Sequence, residues 1–323
     1  MFGVRVDPDL SKKGSTMADD NTPPPVPAVL QKWRDEGTVK DIDGYQIFVH
    51  TSGPESDHGV LIVHGYPGSS WDWQGVVNRI GDQARVVVPD MRGFGMSEKP
   101  LDGTYKEYYT LMLQADLYEA VAKEEGLSSV VLVAHDMGQT VGLELMARQE
   151  EGRLPFTIRH AVLVNGSTLV DMIQLAEMQV ELLKQPDQAA TEDLDFGHFR
   201  DGIAPTFGAG FADPDIVNPS LDAMVHQVFY NKGSRVMAQI LRYLKERQEE
   251  FGRWSRTWFT FQSAPLTVIW GVEDPVALVA MADRVKKERP YTDFYKYDDV
   301  GHWPSIEAPD RLGDAIIARL DSI

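Results

Sequence analysis

One short segment of the chain has a clear chemical meaning. A β-branched, apolar run ends in Ala134-His135-Asp136-Met137-Gly138 and passes directly into helix-forming sequence. Small residues two positions before and after Asp136 are typical of a nucleophile elbow, a sharp strand-to-helix turn that exposes one side chain. The exposed residue is usually serine, but here it is Asp136. A carboxylate is ionised at neutral pH and attacks without a base, and it leaves an ester that water must hydrolyse.

Two other polar residues follow predicted strands later in the chain. Asp274 follows the apolar run 265–271, and His302 lies in the loop after 293–297. Because ligands bind outside the carboxyl ends of parallel strands, we expect both residues to lie beside Asp136. His302 would activate the water that attacks the ester, and Asp274 would orient the imidazole and stabilise its protonated form. Glu273 is the alternative acid, although Asp274 has the better position in the motif.

A glycine-rich turn follows a third buried strand. Its sequence is His64-Gly65-Tyr66-Pro67-Gly68. In such a turn, the main-chain N–H groups of Tyr66 and Met137 would form an oxyanion hole. Pro67 is a candidate for a cis peptide bond. The Tyr66 side chain could also reach the substrate pocket.

The composition limits the classes of function. The 323 residues are 43% hydrophobic and 25% charged, as in ordinary globular chains. The net charge of −18 disfavours binding to nucleic acid or to anionic membranes. The absence of cysteine excludes disulfides, thiolate metal sites and a cysteine nucleophile. We expect a small-molecule substrate and water as partners, with no metal ion and no cofactor; the oligomeric state stays open.

The first 30 residues differ from the rest. They lack the apolar region of a signal peptide and contain a proline-rich stretch, 22–27, so we interpret residues 1–30 as a flexible N-terminal arm. Met17 is as suitable a start as Met1. No apolar run has the length of a membrane span, and we therefore expect a cytoplasmic protein.

Strand and helix signals alternate from about residue 37, which predicts an α/β fold with a mostly parallel sheet. The alternating segment 45–50 is typical of an edge strand, and 59–65 of a buried parallel strand. The alternation stops between 167 and 263, where helical segments at 175–183, 220–230 and 235–251 predict an inserted cap. The α/β core then comprises 31–166 and 264–323. Within it we predict further strands at 84–90, 131–135, 160–164, 265–271 and 293–297, and helices at 110–126, 137–149, 276–287 and 308–320.

These motifs together resemble one branch of the α/β-hydrolase superfamily, the branch of epoxide hydrolases and haloalkane dehalogenases with an Asp nucleophile. The motifs that carry the resemblance are His64-Gly65-Tyr66-Pro67, Asp90-Met91-Arg92-Gly93-Phe94-Gly95-Met96-Ser97, His135-Asp136-Met137-Gly138, Asp274-Pro275 and Gly301-His302. Gly68-Ser69-Ser70-Trp71-Asp72-Trp73 and Leu241-Arg242-Tyr243-Leu244-Lys245-Glu246-Arg247 are similar to the mesoderm-specific-transcript subgroup. The resemblance implies an α/β-hydrolase fold with a helical cap, and a reaction without a cofactor.

The two kinds of enzyme differ in the atom that leaves when the ester forms, which is a halide in one and the epoxide oxygen in the other. Dehalogenases usually have Trp after the nucleophile and often Asn after His-Gly, where this chain has Met137 and Tyr66. Fluoroacetate-type relatives have Arg directly after the nucleophile, and this chain lacks Arg at that position. An opening epoxide leaves as a strongly basic alkoxide and needs an acid, which epoxide hydrolases supply from cap tyrosines. Among the tyrosines of the predicted cap, Tyr243 is the best match for this acid. The second donor stays open among Tyr230, His226 and His198.

We therefore expect an epoxide hydrolase that opens an apolar or aryl epoxide to a diol. Tyr230, Trp71 and Trp303 are candidate pocket residues, with Trp254 and Trp258 as further aromatic candidates. The alternative is a haloalkane dehalogenase that forms the same ester on Asp136. A binding protein without catalysis on a hydrolase scaffold is a third hypothesis. An esterase is disfavoured, because carboxylate attack on an ester would give a mixed anhydride.

Overall fold

The computed structural model describes residues 24–175, 177–208 and 214–322. Eight strands form one sheet: β1 (Thr38–Ile42), β2 (Tyr45–Ser52), β3 (His58–Val63), β4 (Arg85–Pro89), β5 (Ser129–His135), β6 (Thr157–Val164), β7 (Leu266–Gly271) and β8 (Asp293–Tyr297). Their order is β1-β2-β4-β3-β5-β6-β7-β8. β2 pairs antiparallel with β1 and β4, and the other pairs are parallel. The predicted fold class is confirmed.

Helices flank this sheet on both faces. The helices are α1 (Ala28–Glu36), α2 (Gln74–Ile80), α3 (Tyr105–Tyr108), α4 (Leu111–Glu124), α5 (Met137–Glu150), α6 (Glu177–Lys184), α7 (Phe196–Gly208), α8 (Pro214–Phe229), α9 (Met237–Ile240), α10 (Tyr243–Glu249), α11 (Phe251–Thr260), α12 (Val279–Glu288), α13 (Pro304–Glu307) and α14 (Pro309–Ile317). Short 3-10 turns occur at Ser70–Trp73, Gly81–Gln83, Val170–Met172, Tyr230–Val236 and Leu320–Ser322. None of the described helices combines the length and the apolarity needed to cross a bilayer.

β5 lies at the centre of the core and is buried along its whole length. Val130 and Leu132 pack into the cluster on one face of the sheet, and Val131 and Val133 pack into the cluster on the other. This alternation follows from the two-residue period of a strand. A strand that is apolar on both faces must have helices on both sides, so the end of β5 is held firmly in the interior.

The chain between β6 and β7 forms a helical insertion, residues 165–265. Its described part contains helices α6–α11 and no strand. The sequence did not predict α7 or α11, and the predicted helix 235–251 is divided into a 3-10 turn, α9 and α10. Asn231 and Lys232 have positive φ angles, which interrupt helical geometry at the start of this region. A second break separates α9 from α10, so Tyr243 lies at the start of α10 rather than in mid-helix.

Two predictions near the N-terminus require correction. The predicted arm 1–30 overlaps α1: Leu30 is fully buried, and Trp33 donates a hydrogen bond to Ser70 Oγ at 3.1 Å. The part of the arm before residue 24 lies outside the described residues. The segment 45–50 is not an edge strand, because β1 covers β2 on its outer side. β1 was missed because its sequence, TVKDI, is short and mostly polar.

Candidate active site

The elbow between β5 and α5 places Asp136 at the carboxyl edge of the sheet. Asp136 has φ 50° and ψ −116°, a conformation that side chains rarely adopt. A side chain at Gly138 would overlap the carbonyl oxygen of His64, and a Cβ at Gly65 would lie 2.6 Å from Asp136 Cβ. The close approach of the turn after β3 and the elbow therefore requires glycine at both positions.

The two carboxylate oxygens of Asp136 have different surroundings. Oδ2 accepts a hydrogen bond from the main-chain N–H of Tyr66 at 2.9 Å. Oδ1 lies 3.8 Å from His302 Nε2. Met137 is the first residue of α5, so its N–H is outside the hydrogen-bond ladder of the helix. One oxygen is thus bound by the predicted oxyanion donor of Tyr66, while the other faces the histidine.

His302 and Asp274 form a buried pair beside Asp136. His302 Nδ1 is 2.7 Å from Asp274 Oδ2, whereas Glu273 is exposed. Burial lowers the pKa of His302, but the charges of Asp274 and Asp136 outweigh it and raise the pKa to about 9. Burial raises the pKa of Asp274, but His302 and the hydrogen bonds to the carboxylate bring it below its usual value. The structure therefore brings together the three residues that the strand ends predicted.

Asn165 is a part of the site that the sequence reasoning missed. It directly follows β6, and its Nδ2 donates to Asp274 Oδ2 at 2.6 Å. Its main-chain oxygen accepts from the N–H of Asp136 at 2.8 Å. One residue thus fixes both the elbow and the acid. The signal was available, since a polar residue after a buried parallel strand is the pattern that identified Asp274.

A small cavity of about 50 Å³ lies over Asp136. It is lined by Tyr66, Pro67, Asp136, Gln179, Ile203, Met224, Tyr243, Val276, His302 and Trp303. Tyr243 is 2% exposed, and burial together with the charge of Asp136 raises the pKa of its phenol. Tyr243 is therefore a protonated phenol at neutral pH.

Comparisons with known proteins identify the family of this chain. The family described as alpha/beta hydrolase fold matches residues 60–309. The chain belongs to the α/β-hydrolase family. This α/β hydrolase is 34% identical over 294 residues to LipZ of Mycobacterium tuberculosis, covering 90% of this chain and 98% of LipZ. It is 29% identical over 314 residues to the mesoderm-specific transcript homolog protein of Bos taurus, covering 93% and 90% of the two chains.

Solved structures share the fold of this α/β hydrolase. The epoxide hydrolase VrEH1 of Vigna radiata superimposes with a TM-score of 0.69. The match covers 89% of this chain and 98% of VrEH1, at 19% sequence identity. At this level of identity the likeness shows the fold alone.

Several predicted pocket and donor residues of the hydrolase lie elsewhere. Trp303 lines the cavity, but Trp71 lies in a separate groove with Asn78 and Pro309. Tyr230 is 37% exposed, and its ring packs against the guanidinium of Arg34 at 4.7 Å. These positions correct the predicted lining for Trp71 and Tyr230.

The remaining candidates also lie outside the lining of the cavity. His226 packs on Phe196, and His198 is exposed. Trp254 donates to Glu144 and Trp258 to Thr168. None of these four residues contributes to the lining of the cavity.

Arg247 is a second residue that the sequence did not assign to the site. Its side chain is almost fully buried and donates to Asp136 O at 2.9 Å and to Thr140 Oγ1 at 2.8 Å. Its guanidinium carbon lies 4.5 Å from the centre of the Tyr243 ring. Among the described residues, no carboxylate lies within 4.0 Å of this guanidinium. A buried positive charge thus adjoins both the nucleophile and the phenol.

Within the described residues, no group of three or more His, Asp or Glu side chains is arranged to hold a metal ion. The chemistry open to this arrangement is nucleophilic attack by a carboxylate, activation of water by an imidazole, and proton donation by a phenol.

Proposed function

We propose that this α/β hydrolase is an epoxide hydrolase that opens an apolar or aryl epoxide to a diol. The observation that carries the proposal is the meeting, in one cavity, of the Asp136 carboxylate, the His302 imidazole and the Tyr243 phenol. We also propose that residues 167–263 act as the cap over this cavity, since they supply Gln179, Ile203, Met224 and Tyr243 to its lining.

In the first step, Asp136 Oδ1 attacks an epoxide carbon. Oδ1 is the attacking atom because Oδ2 is held by the N–H of Tyr66. The Oδ1–carbon bond forms and the carbon–oxygen bond of the ring breaks, with its electron pair moving to oxygen. Tyr243 transfers its proton to that oxygen, which gives a hydroxyl group and a phenolate. Oδ2 becomes the carbonyl oxygen of the ester, already placed at its oxyanion donor.

In the second step, water hydrolyses the ester. Formation of the ester removes the charge of Asp136, which is one of the causes that raise the pKa of His302. The pKa of His302 therefore falls, and its proton returns to the Tyr243 phenolate. Neutral His302 then takes a proton from the water that attacks the ester carbon. As the tetrahedral intermediate collapses, the bond between its carbon and the substrate oxygen breaks, and that oxygen takes the proton of the hydroxyl that came from water. The diol is released, which restores the Asp136 carboxylate and leaves His302 protonated.

The lining of the cavity supports an apolar substrate. Ile203, Met224 and Val276 form part of its wall. A volume of about 50 Å³ holds only a few water molecules, far less than the ~300 Å³ of a typical ligand site. Binding of a substrate would therefore require the side chains that line the cavity to move apart.

A haloalkane dehalogenase that uses the same ester is the second candidate. The observation that favours it is the presence of Gln179 and Trp303 in the cavity lining, since an amide and an indole N–H can hold a halide. In that reaction, Asp136 Oδ1 displaces the halide, which departs with the bonding electrons and needs no proton. The variant Tyr243→Phe distinguishes the two candidates. Epoxide opening needs the proton of the phenol and would be lost in this variant, whereas halide release needs no proton and would be retained.

The direct test is a single turnover in water labelled with heavy oxygen. The enzyme, in excess over an aryl epoxide or a linear bromoalkane, reacts once before the reaction is quenched. The protein is then digested, and the mass of the peptide that contains Asp136 is measured by mass spectrometry. We expect the label in Asp136 after turnover of the epoxide, because water attacks the ester carbon. We also expect His302→Gln to accumulate the ester, with the mass of the enzyme raised by the mass of the epoxide.

The matched control is Asp136→Asn, which should form no ester with any substrate. Release of bromide with no reaction of epoxides would favour the dehalogenase. Absence of any ester in His302→Gln across a broad panel of epoxides would refute the proposal.

A further inference from the structure

We propose that the phenol of Tyr66 is the second acid of the site and binds the epoxide oxygen together with Tyr243. This inference rests on the proposed epoxide reaction and extends it. Tyr66 would then act twice: its main-chain N–H holds the carbonyl oxygen of the ester, and its side chain holds the departing oxygen.

The turn that carries Tyr66 fixes the side chain over the nucleophile. His64 Nε2 accepts from the N–H of Met91 at 2.9 Å, which ties the turn to the loop after β4. The N–H of Tyr66 is bound to Asp136 Oδ2, so the direction in which its side chain leaves the main chain is set by the nucleophile itself. The ring also packs edge-on against Phe94, with 6.3 Å between the ring centres.

The two phenols converge on the same space. The ring centres of Tyr66 and Tyr243 are 5.9 Å apart, with 48° between their planes, and both rings line the cavity. Burial and then the charge of Asp136 raise the pKa of each phenol, so both remain protonated at neutral pH. Both side chains can therefore present an O–H to an oxygen that departs from a carbon at Asp136.

The hydroxyl of Tyr66 has only a weak partner. It donates to the main-chain oxygen of Met237 at 3.4 Å, well beyond the ~2.7 Å that is usual for an O–H···O bond. Turning this hydroxyl towards a substrate oxygen costs little. An epoxide oxygen has two lone pairs, and a second donor stabilises the negative charge that develops as the ring opens.

The two donors come from different parts of the chain. Tyr66 belongs to the turn after β3, and Tyr243 belongs to α10 of the insertion. The pair is complete only where α10 of the insertion packs over the turn after β3. Ring opening would therefore depend on this contact between the insertion and the core, at a cavity of about 50 Å³ with little room for bulk water.

Tyr66→Phe tests this inference because it removes the hydroxyl and leaves the main-chain N–H in place. We expect ester formation with an aryl epoxide to slow by about 10²-fold in single-turnover quench experiments. We expect hydrolysis of the ester to keep the wild-type rate, since the oxyanion donor and His302 are unchanged. Tyr66→Phe combined with Tyr243→Phe should form no detectable ester.

The matched control is Tyr118→Phe. Tyr118 is also fully buried and its hydroxyl also donates to a main-chain oxygen, that of Ile62 at 3.3 Å, but it does not line the cavity. This variant should form the ester at the wild-type rate. If Tyr66→Phe fails to fold, Tyr66→Met replaces it: methionine fills space in a core but has no hydrogen-bond donor, so ester formation should again slow by about 10²-fold.

The outcomes separate this inference from the proposed function. If the wild-type enzyme forms an ester with epoxides, an unchanged rate of ester formation in Tyr66→Phe or Tyr66→Met would overturn the role of Tyr66 alone. Equal slowing of ester formation and ester hydrolysis would also overturn it, because that result indicates a distorted site. Failure of the wild-type enzyme to form an ester with any epoxide would overturn both proposals.

Discussion

Replacing Arg247 tests whether a buried positive charge assists proton transfer from Tyr243. When Tyr243 gives up its proton, a negative charge forms on a ring whose centre lies 4.5 Å from the guanidinium carbon. At an effective dielectric constant of ~20, two unit charges at this separation attract by about 4 kcal/mol. If half of the charge has developed in the transition state, the loss is about 2 kcal/mol, or ~30-fold in rate.

The assay separates the charge of Arg247 from its hydrogen bonds. Arg247→Gln keeps donors for Asp136 O but removes the charge, and we expect ester formation from an aryl epoxide to slow ~30-fold. Arg247→Lys keeps the charge and should retain most of the rate. Arg242→Gln is the control, since Arg242 donates to Ala238 O and Gln185 O and does not line the cavity. The reasoning is refuted if the Gln and Lys variants are equally slow, or if Arg247→Gln forms the ester at the wild-type rate.

Three further measurements follow from the contacts around the site. Burial lowers the pKa of His302, while Asp274 and Asp136 raise it to about 9. In Asp136→Asn, NMR of the imidazole nitrogens should therefore find a His302 pKa that is lower by about one unit. An unchanged pKa would contradict the second step of the mechanism. Asn165→Leu removes a donor from Asp274, so quench experiments should find ester hydrolysis about tenfold slower with ester formation unchanged. Glu144 is buried among Arg148, Arg153 and Arg253, so Glu144→Gln should lower the free energy of unfolding in urea by about 3 kcal/mol and leave the ester kinetics unchanged.

The central strands and the residues at their ends could be predicted because their signals are local. β8 has the predicted bounds, Asp293–Tyr297, and Asp136, Asp274 and His302 each follow a predicted strand. A parallel sheet brings the carboxyl ends of its strands to one edge, so the order of the elements alone places these three residues together. The fold class followed from the same alternation of strands and helices.

The rest of the site depends on contacts between distant segments. Arg247 reaches Asp136 across 111 positions of sequence, and Tyr230 turns towards Arg34 of α1 rather than towards the cavity. The periodicity of the sequence within the insertion does not predict which face of each helix packs against the core. Because helix α1 and strand β1 are stabilised by packing on the rest of the chain, their own short sequences carry little signal.

At Asp136, the residue type that the proposed reaction needs differs from the type that would make the elbow most stable. A non-glycine residue with φ 50° and ψ −116° stores about 1–3 kcal/mol of backbone strain, which glycine at position 136 would relieve. Selection for thermal stability alone would therefore favour glycine at this position, with the rest of the turn unchanged. The aspartate is retained at a cost to the fold, so any stabilised variant obtained by screening for folding needs its elbow checked before its activity is interpreted.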